Sequence, residues 1–132
     1  MNELQNKSID TTSFAYRDLL SVDRWESFTP SFSLTVVGTP VYVGRYRIVG
    51  RQLQFQVSLG ATTSIASVAG TNYMTLPVPA NGITGVAVMT NDTTNIAVGL
   101  CHIDVTNSRC YLPSQAASGN AFVLAGWYEI GG

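Results

Sequence analysis

Charge is what this sequence has least of. Lys and Arg together number 7 and Asp and Glu 8, so charged residues make up 11% of the 132. An ordinary domain carries about 25%. Ser, Thr, Asn, Gln and Gly fill the gap, which is the composition of a β protein with neutral polar outer faces. Hydroxyls and amides cost less to desolvate than charges, so such faces suit packing of one chain against another. A net charge of −1 and a pI near 5.6 supply no cationic field for nucleic acid. No apolar run approaches the ~18 residues of a membrane span. The opening MNELQNKSID has no apolar stretch of the kind that directs secretion, so no export is expected. Neither nucleic acid nor a membrane is an expected partner.

Catalytic side chains are equally scarce. His102 is the only histidine, so every triad or zinc scheme competes for one imidazole. Cys101 and His102 are neighbours on a predicted strand and point to opposite faces, which keeps them from sharing a metal. A site built from His102, Cys110 and Asp104 is the nearest approach to one, and a surface histidine is the simpler reading. Beyond the N-terminal region only Asp92, Asp104 and Glu129 are acidic, and these read as turn and edge residues, not as paired carboxylates across a cleft. There is no phosphate-binding glycine loop and no calcium loop. The expectation is a non-enzymatic protein with no cofactor and no metal.

The two cysteines, Cys101 and Cys110, are too few for a disulfide framework. A four-residue hairpin loop over 104–107 would set them face to face and make a bridge possible, though one closing so short a loop adds little. In the absence of an export signal, reduced and buried thiols are the preferred reading.

The chain divides into an N-terminal arm, residues 1–28, and a β domain, residues 29–132. The first 26 residues hold eight of the fifteen charges, with Phe14, Leu19 and Leu20 allowing one short helix or turn over 14–21. Phe14, Arg17, Leu19, Leu20 and Trp25 are the candidate contacts of this arm with a partner. The rest reads as an all-β antiparallel sandwich or jelly roll of about eight strands. Residues 31–37 form a strand closed by Gly38-Thr39-Pro40. VYVGRYRIV (41–49) and QLQFQVSL (52–59) make a hairpin through Gly50-Arg51, the second strand alternating Leu53, Phe55, Val57 and Leu59 against Gln52, Gln54, Gln56 and Ser58. A small-residue loop with a weak edge strand spans 60–72, and a short strand over 73–76 stops at Pro77. Strands at 85–90, 95–105, 109–112 and 121–130 follow, with turns at 91–94 and 106–108 and a polar loop at 113–120.

The last strand is apolar on both faces. Phe122, Leu124, Tyr128 and Ile130 line one side, and Val123, Ala125 and Trp127 the other. A two-layer fold leaves one face of each strand to water, so a second apolar face points to a neighbouring subunit or to the arm folded back. Phe122, Leu124, Trp127 and Tyr128 are the candidate subunit contacts. Arg45 and Arg47 share a strand face and Arg51 lies close by in the turn, which makes either a small cationic patch or a face kept soluble by charge. Tyr42 and Tyr46 fall on the opposite face.

The run TPSFSL…GRYRIVGRQLQFQVSLG…NYMTLPVPA resembles a β-module of tailed-bacteriophage virion proteins. In that module a Gly-x-Tyr-x-x-Val/Ile-Gly stretch enters an alternating strand, and a small-residue loop leads to a short strand ending in Leu-Pro. Gly44, Tyr46, Gly50, Leu53, Phe55, Val57, Leu76 and Pro77 occupy those positions. The likeness covers residues 29–80 well and the last strand loosely. It implies a homotrimeric jelly-roll or sandwich knob on a capsid, fibre or spike, located in the virion, with no catalytic residues. A chain of 132 residues opening at Met1 is expected to be a stand-alone decoration (cement) protein gripping a phage capsid protein through its arm. The alternative is a receptor-binding or adhesion module of a tail fibre or spike, its loops at 60–72, 91–94 and 113–120 contacting host surface glycan or protein.

Overall fold

Twelve strands, all pairing antiparallel, make up the regular structure of the computed structural model, which describes residues 24–60 and 64–131. They are β1 (Glu26–Phe28), β2 (Ser31–Ser33), β3 (Thr35–Val37), β4 (Val41–Val49), β5 (Gln52–Gly60), β6 (Ser64–Ser67), β7 (Tyr73–Thr75), β8 (Gly85–Asn91), β9 (Ile96–Asp104), β10 (Arg109–Tyr111), β11 (Gln115–Ser118) and β12 (Phe122–Glu129). Nine form one sheet in the order β1-β4-β5-β12-β8-β9-β10-β7-β2, and three form a second in the order β11-β6-β3. The fold is the expected all-β, sandwich-like class.

β1 and β2 lie at opposite ends of the nine-strand order, yet only Thr29 and Pro30 separate them in the chain. Consecutive Cα atoms are about 3.8 Å apart, so this link spans at most roughly 11 Å. The sheet must therefore curl until its two ends meet, enclosing its concave face. There sit Leu53, Phe55, Val57 and Leu59 of β5, Ala87 and Met89 of β8, Met74, Ile103 and Cys110, and Phe122, Leu124 and Tyr128 of β12. The small sheet adds Ile65 to the same cluster. Burying a Leu, Val or Phe stabilises by about 1.5–3 kcal/mol, and the period-two pattern of β5 places four such side chains on one face.

The hairpin expected over 41–59 is present, with ladder pairs running from Val49–Gln52 to Val41–Gly60. Gly50 adopts φ 64°, a left-handed conformation that costs glycine little. The turn expected at 91–94 lies one residue later, over Asp92–Asn95: the buried Asn91, last residue of β8, accepts from the amides of Thr93 and Thr94 through its side-chain oxygen.

Several expectations are corrected. The strand expected over 31–37 is two strands in different sheets, divided at Leu34. The segment expected as a weak edge, Ser64–Ser67, is the central strand of the small sheet. The polar loop at 113–120 contains β11, which pairs with β6. Of the residues assigned to the arm, Glu26–Phe28 pair with β4 and Phe28 packs on the core. The short helix or turn at 14–21, with Phe14, Arg17, Leu19 and Leu20, lies outside the described residues.

The turn after β9 is displaced as well. It spans Val105–Ser108, so Arg109 faces Asp104 and Cys110 faces Ile103, not Cys101. Asp104 fixes this register: its carboxylate accepts from the amides of Thr106 and Asn107 and from the Asn107 side chain. Ser108 takes φ 55° to close the loop. Cys101 and Cys110 are free thiols that meet diagonally across the two strands.

Candidate functional site

Alternation dictates what the convex face of the large sheet displays. With Leu53, Phe55 and Val57 turned inward, Gln54 and Gln56 must point out, and their ladder partners Arg47 and Arg45 lie beside them. Arg45 Nε and Nη2 donate to Gln56 Oε1 at 2.9 and 2.6 Å, and Arg47 Nε donates to Gln54 Oε1 at 2.8 Å. Both guanidinium groups stack on the ring of Trp25, at 4.8 and 4.9 Å from its centroid. The two arginines are therefore held by an indole and two amides, a cation–π arrangement that fixes their direction. Arg51 stands apart in the hairpin turn, where its charge acts on Glu129. Trp25 thus gathers two of the three arginines expected to form a cationic patch.

The same face continues across β12 and β8. Trp127 pairs with Gln54 on one side and Val86 on the other, and Ala125 pairs with Gln56 and Val88. Val88 in turn faces Leu100 of β9. The result is an apolar stripe of Ala125, Trp127, Val86, Val88 and Leu100 that carries no charge. Leu100 is 75% exposed and Val86 50%. Between Trp25 and Trp127 runs a groove of about 330 Å³ floored by Gln54, Gln56, Ala125 and Gly126.

Of the residues expected at a subunit contact, only Trp127 lies on this stripe. Phe122, Leu124 and Tyr128 are fully buried in the core of the single chain, because they occupy the concave side of β12. Trp25, expected as an arm contact, packs on the arginines instead. Tyr42 and Tyr46 point inward, as expected, and pack on the core; burial raises the Tyr42 hydroxyl above its ordinary pKa.

A second cluster was not foreseen. On the outer face of β9, β10 and β7, His102 faces Tyr111, which faces Tyr73. Tyr111 and His102 stack nearly parallel, 26° between planes and 6.3 Å between centroids. Tyr73 meets Tyr111 edge-on at 5.6 Å, and the Arg109 guanidinium lies 4.2 Å over the Tyr73 ring. The alternation of Tyr73-Met74-Thr75 and Arg109-Cys110-Tyr111 could have found it, but only with the correct register between these short strands.

No family model, curated protein or solved structure matches this chain.

Two acidic side chains, Glu129 and Asp104, are engaged locally. Glu129 Oε1 accepts from the amides of Ile83 (2.6 Å) and Thr84 (3.2 Å), which holds its carboxyl below the usual carboxylate range. The Asn107 side chain, and then the turn amides, lower that of Asp104. Among the described residues no three His, Cys, Asp or Glu side chains gather where they could hold a metal, and no helix is long and apolar enough to cross a membrane.

Proposed function

We propose that this chain is a non-enzymatic structural protein of a tailed-bacteriophage virion, a homotrimeric capsid decoration protein whose N-terminal region grips a capsid protein. The observation that carries the reading is the uncharged stripe of Ala125, Trp127, Val86, Val88 and Leu100, open on the convex face and bordered by oriented amides at Gln54 and Gln56. Apolar patches with polar rims mark interaction surfaces. A protein sparing in charge has little reason to expose Leu100 and Val86 unless a second surface covers them. A copy of the same chain is the partner that needs no further component, and closed symmetric assembly is the usual outcome for such surfaces. Three arms on one trimer would add avidity for a capsid lattice. The resemblance over residues 29–80 supplies the virion context.

Light scattering on the full chain tests the assembly, and co-sedimentation with capsids of the encoding virus tests the location. A trimer that Leu100→Asp converts to monomers, with the fold intact by circular dichroism, is the expected result. A wild-type monomer would remove the homotrimer, and a trimer that ignores capsids would remove the decoration role.

A further inference from the structure

The strongest unassigned feature is the ring cluster on β9 and β10 and the depression beside it. That depression has a volume of about 320 Å³, and its lining includes His102, Tyr111, Asp104, Pro113, Gly70 and Leu100. The volume is at the low end of the about 300–1,000 Å³ range of ligand pockets, enough for about one or two sugar rings.

Each element of the wall is held by another. Arg109 stacks on Tyr73 and its Nη1 donates to Tyr111 Oη at 3.2 Å. The Tyr111 oxygen therefore acts as acceptor toward the protein, and its own hydroxyl proton is left to donate outward. Tyr73 supports Tyr111 edge-on, and Tyr111 lies inclined by 26° to the exposed imidazole of His102. Asp104 is pinned by the turn it caps. The surface is organised before any ligand arrives, which lowers the ordering cost of binding.

The chemistry selects among ligands. Arg109 faces Asp104 across the ladder, so opposite charges adjoin and the site favours no ion. Nucleic acid would need a cationic track, and the chain's net charge is −1. An extended peptide would need a free strand edge, whereas β9 and β10 are both paired on each side. What fits is a molecule with an apolar C–H face for an aromatic ring and hydroxyls around its rim for a phenol, a carboxylate and an imidazole.

We propose that the depression beside Tyr111 and His102 binds a pyranose ring of a neutral oligosaccharide. The ring stacks on Tyr111, and its hydroxyls take the Tyr111 proton and the ring nitrogens of His102. This does not depend on the capsid reading: Leu100 is the one residue common to the two surfaces, and the proposal is tested by a binding measurement at Tyr111 and His102, not by assembly.

Saturation-transfer NMR on the full chain, with maltohexaose, chitotetraose and β-galactan oligomers as probes, tests it. At least one probe shows transfer concentrated on its ring C–H protons. Tyr111→Ala and His102→Ala each weaken that probe about tenfold, equivalent to about 1.4 kcal/mol, and Tyr111→Phe retains part of the affinity. His102 is exposed, so its variant keeps the test sound if Tyr111→Ala fails to fold. Absence of transfer from all probes overturns the proposal. So does transfer unchanged in His102→Ala and Tyr111→Phe, or transfer abolished by Trp127→Ala while these two bind normally.

Discussion

The Tyr128 hydroxyl donates to the Val78 carbonyl at 2.7 Å and accepts from the Val78 amide at 3.1 Å. One phenol thus satisfies both backbone groups of a residue set between Pro77 and Pro79, where no strand partner is available. Tyr128 is fully buried, and burial pushes its hydroxyl well above the ordinary tyrosine pKa. Tyr128→Phe leaves both Val78 groups unmatched and should cost about 2 kcal/mol in urea unfolding. A loss of under roughly 0.5 kcal/mol would mean that water replaces the hydroxyl.

Gly126→Ala should be at least as damaging. A Cβ at Gly126 would collide with the Val86 carbonyl oxygen and with Ala87, and a backbone carbonyl in a central ladder cannot swing aside. Overpacking of this kind costs about 1–3 kcal/mol or more. Thermal unfolding of the variant checks it, and an unchanged midpoint would contradict the close approach of β8 and β12.

Acid should loosen the loop before β8. Glu129 titrates below its ordinary value of 4.5 because the amides of Ile83 and Thr84 bind its charged form. Its contribution is complete above that ordinary value, which the unfolded chain keeps, and disappears as pH falls through the lower folded value. Glu129→Gln should therefore narrow the stability gap to wild type as pH drops from neutrality through this window. A gap constant with pH would show that the carboxylate charge is not what the amides read.

The thiols should fall into two classes. Cys101 is half-buried, whereas Cys110 is fully buried, and the hydrogen bond with Cys101, together with burial, raises its pKa well above the usual value. The thiolate is the reactive form. A thiol reagent should modify Cys101 first and reach Cys110 only on unfolding. Two thiols appearing in denaturant confirm the reduced pair, and none would reveal a bridge.

The parts of this fold legible in the sequence were those set by local pattern. The β4–β5 hairpin follows from strict alternation and Gly50, and the inward set Leu53, Phe55, Val57 and Leu59 follows with it. The two apolar faces of β12 are legible too, but the sequence names residues of both, Phe122, Leu124 and Tyr128 on one and Trp127 on the other, as subunit contacts, since composition does not say which of two apolar faces is the core. What depends on distant pairing was hidden. Residues 31–37 look like one strand until Leu34 is seen passing from one sheet to the other. The two-residue shift at Asp104 comes from a carboxylate capping its own turn, and without it neither the offset of Cys101 from Cys110 nor the row His102–Tyr111–Tyr73 can be drawn.

The strands that end the two sheets are β1, β2, β3 and β11, and none is longer than four residues. An outermost strand is where a misfolded neighbour can graft its own backbone, and three or four residues give such a graft too few amides to hold. The Thr29–Pro30 link further keeps two of these margins beside each other instead of facing outward. In a chain with so little charge to repel its own copies, the shortness of these margins does the work that edge charges do elsewhere.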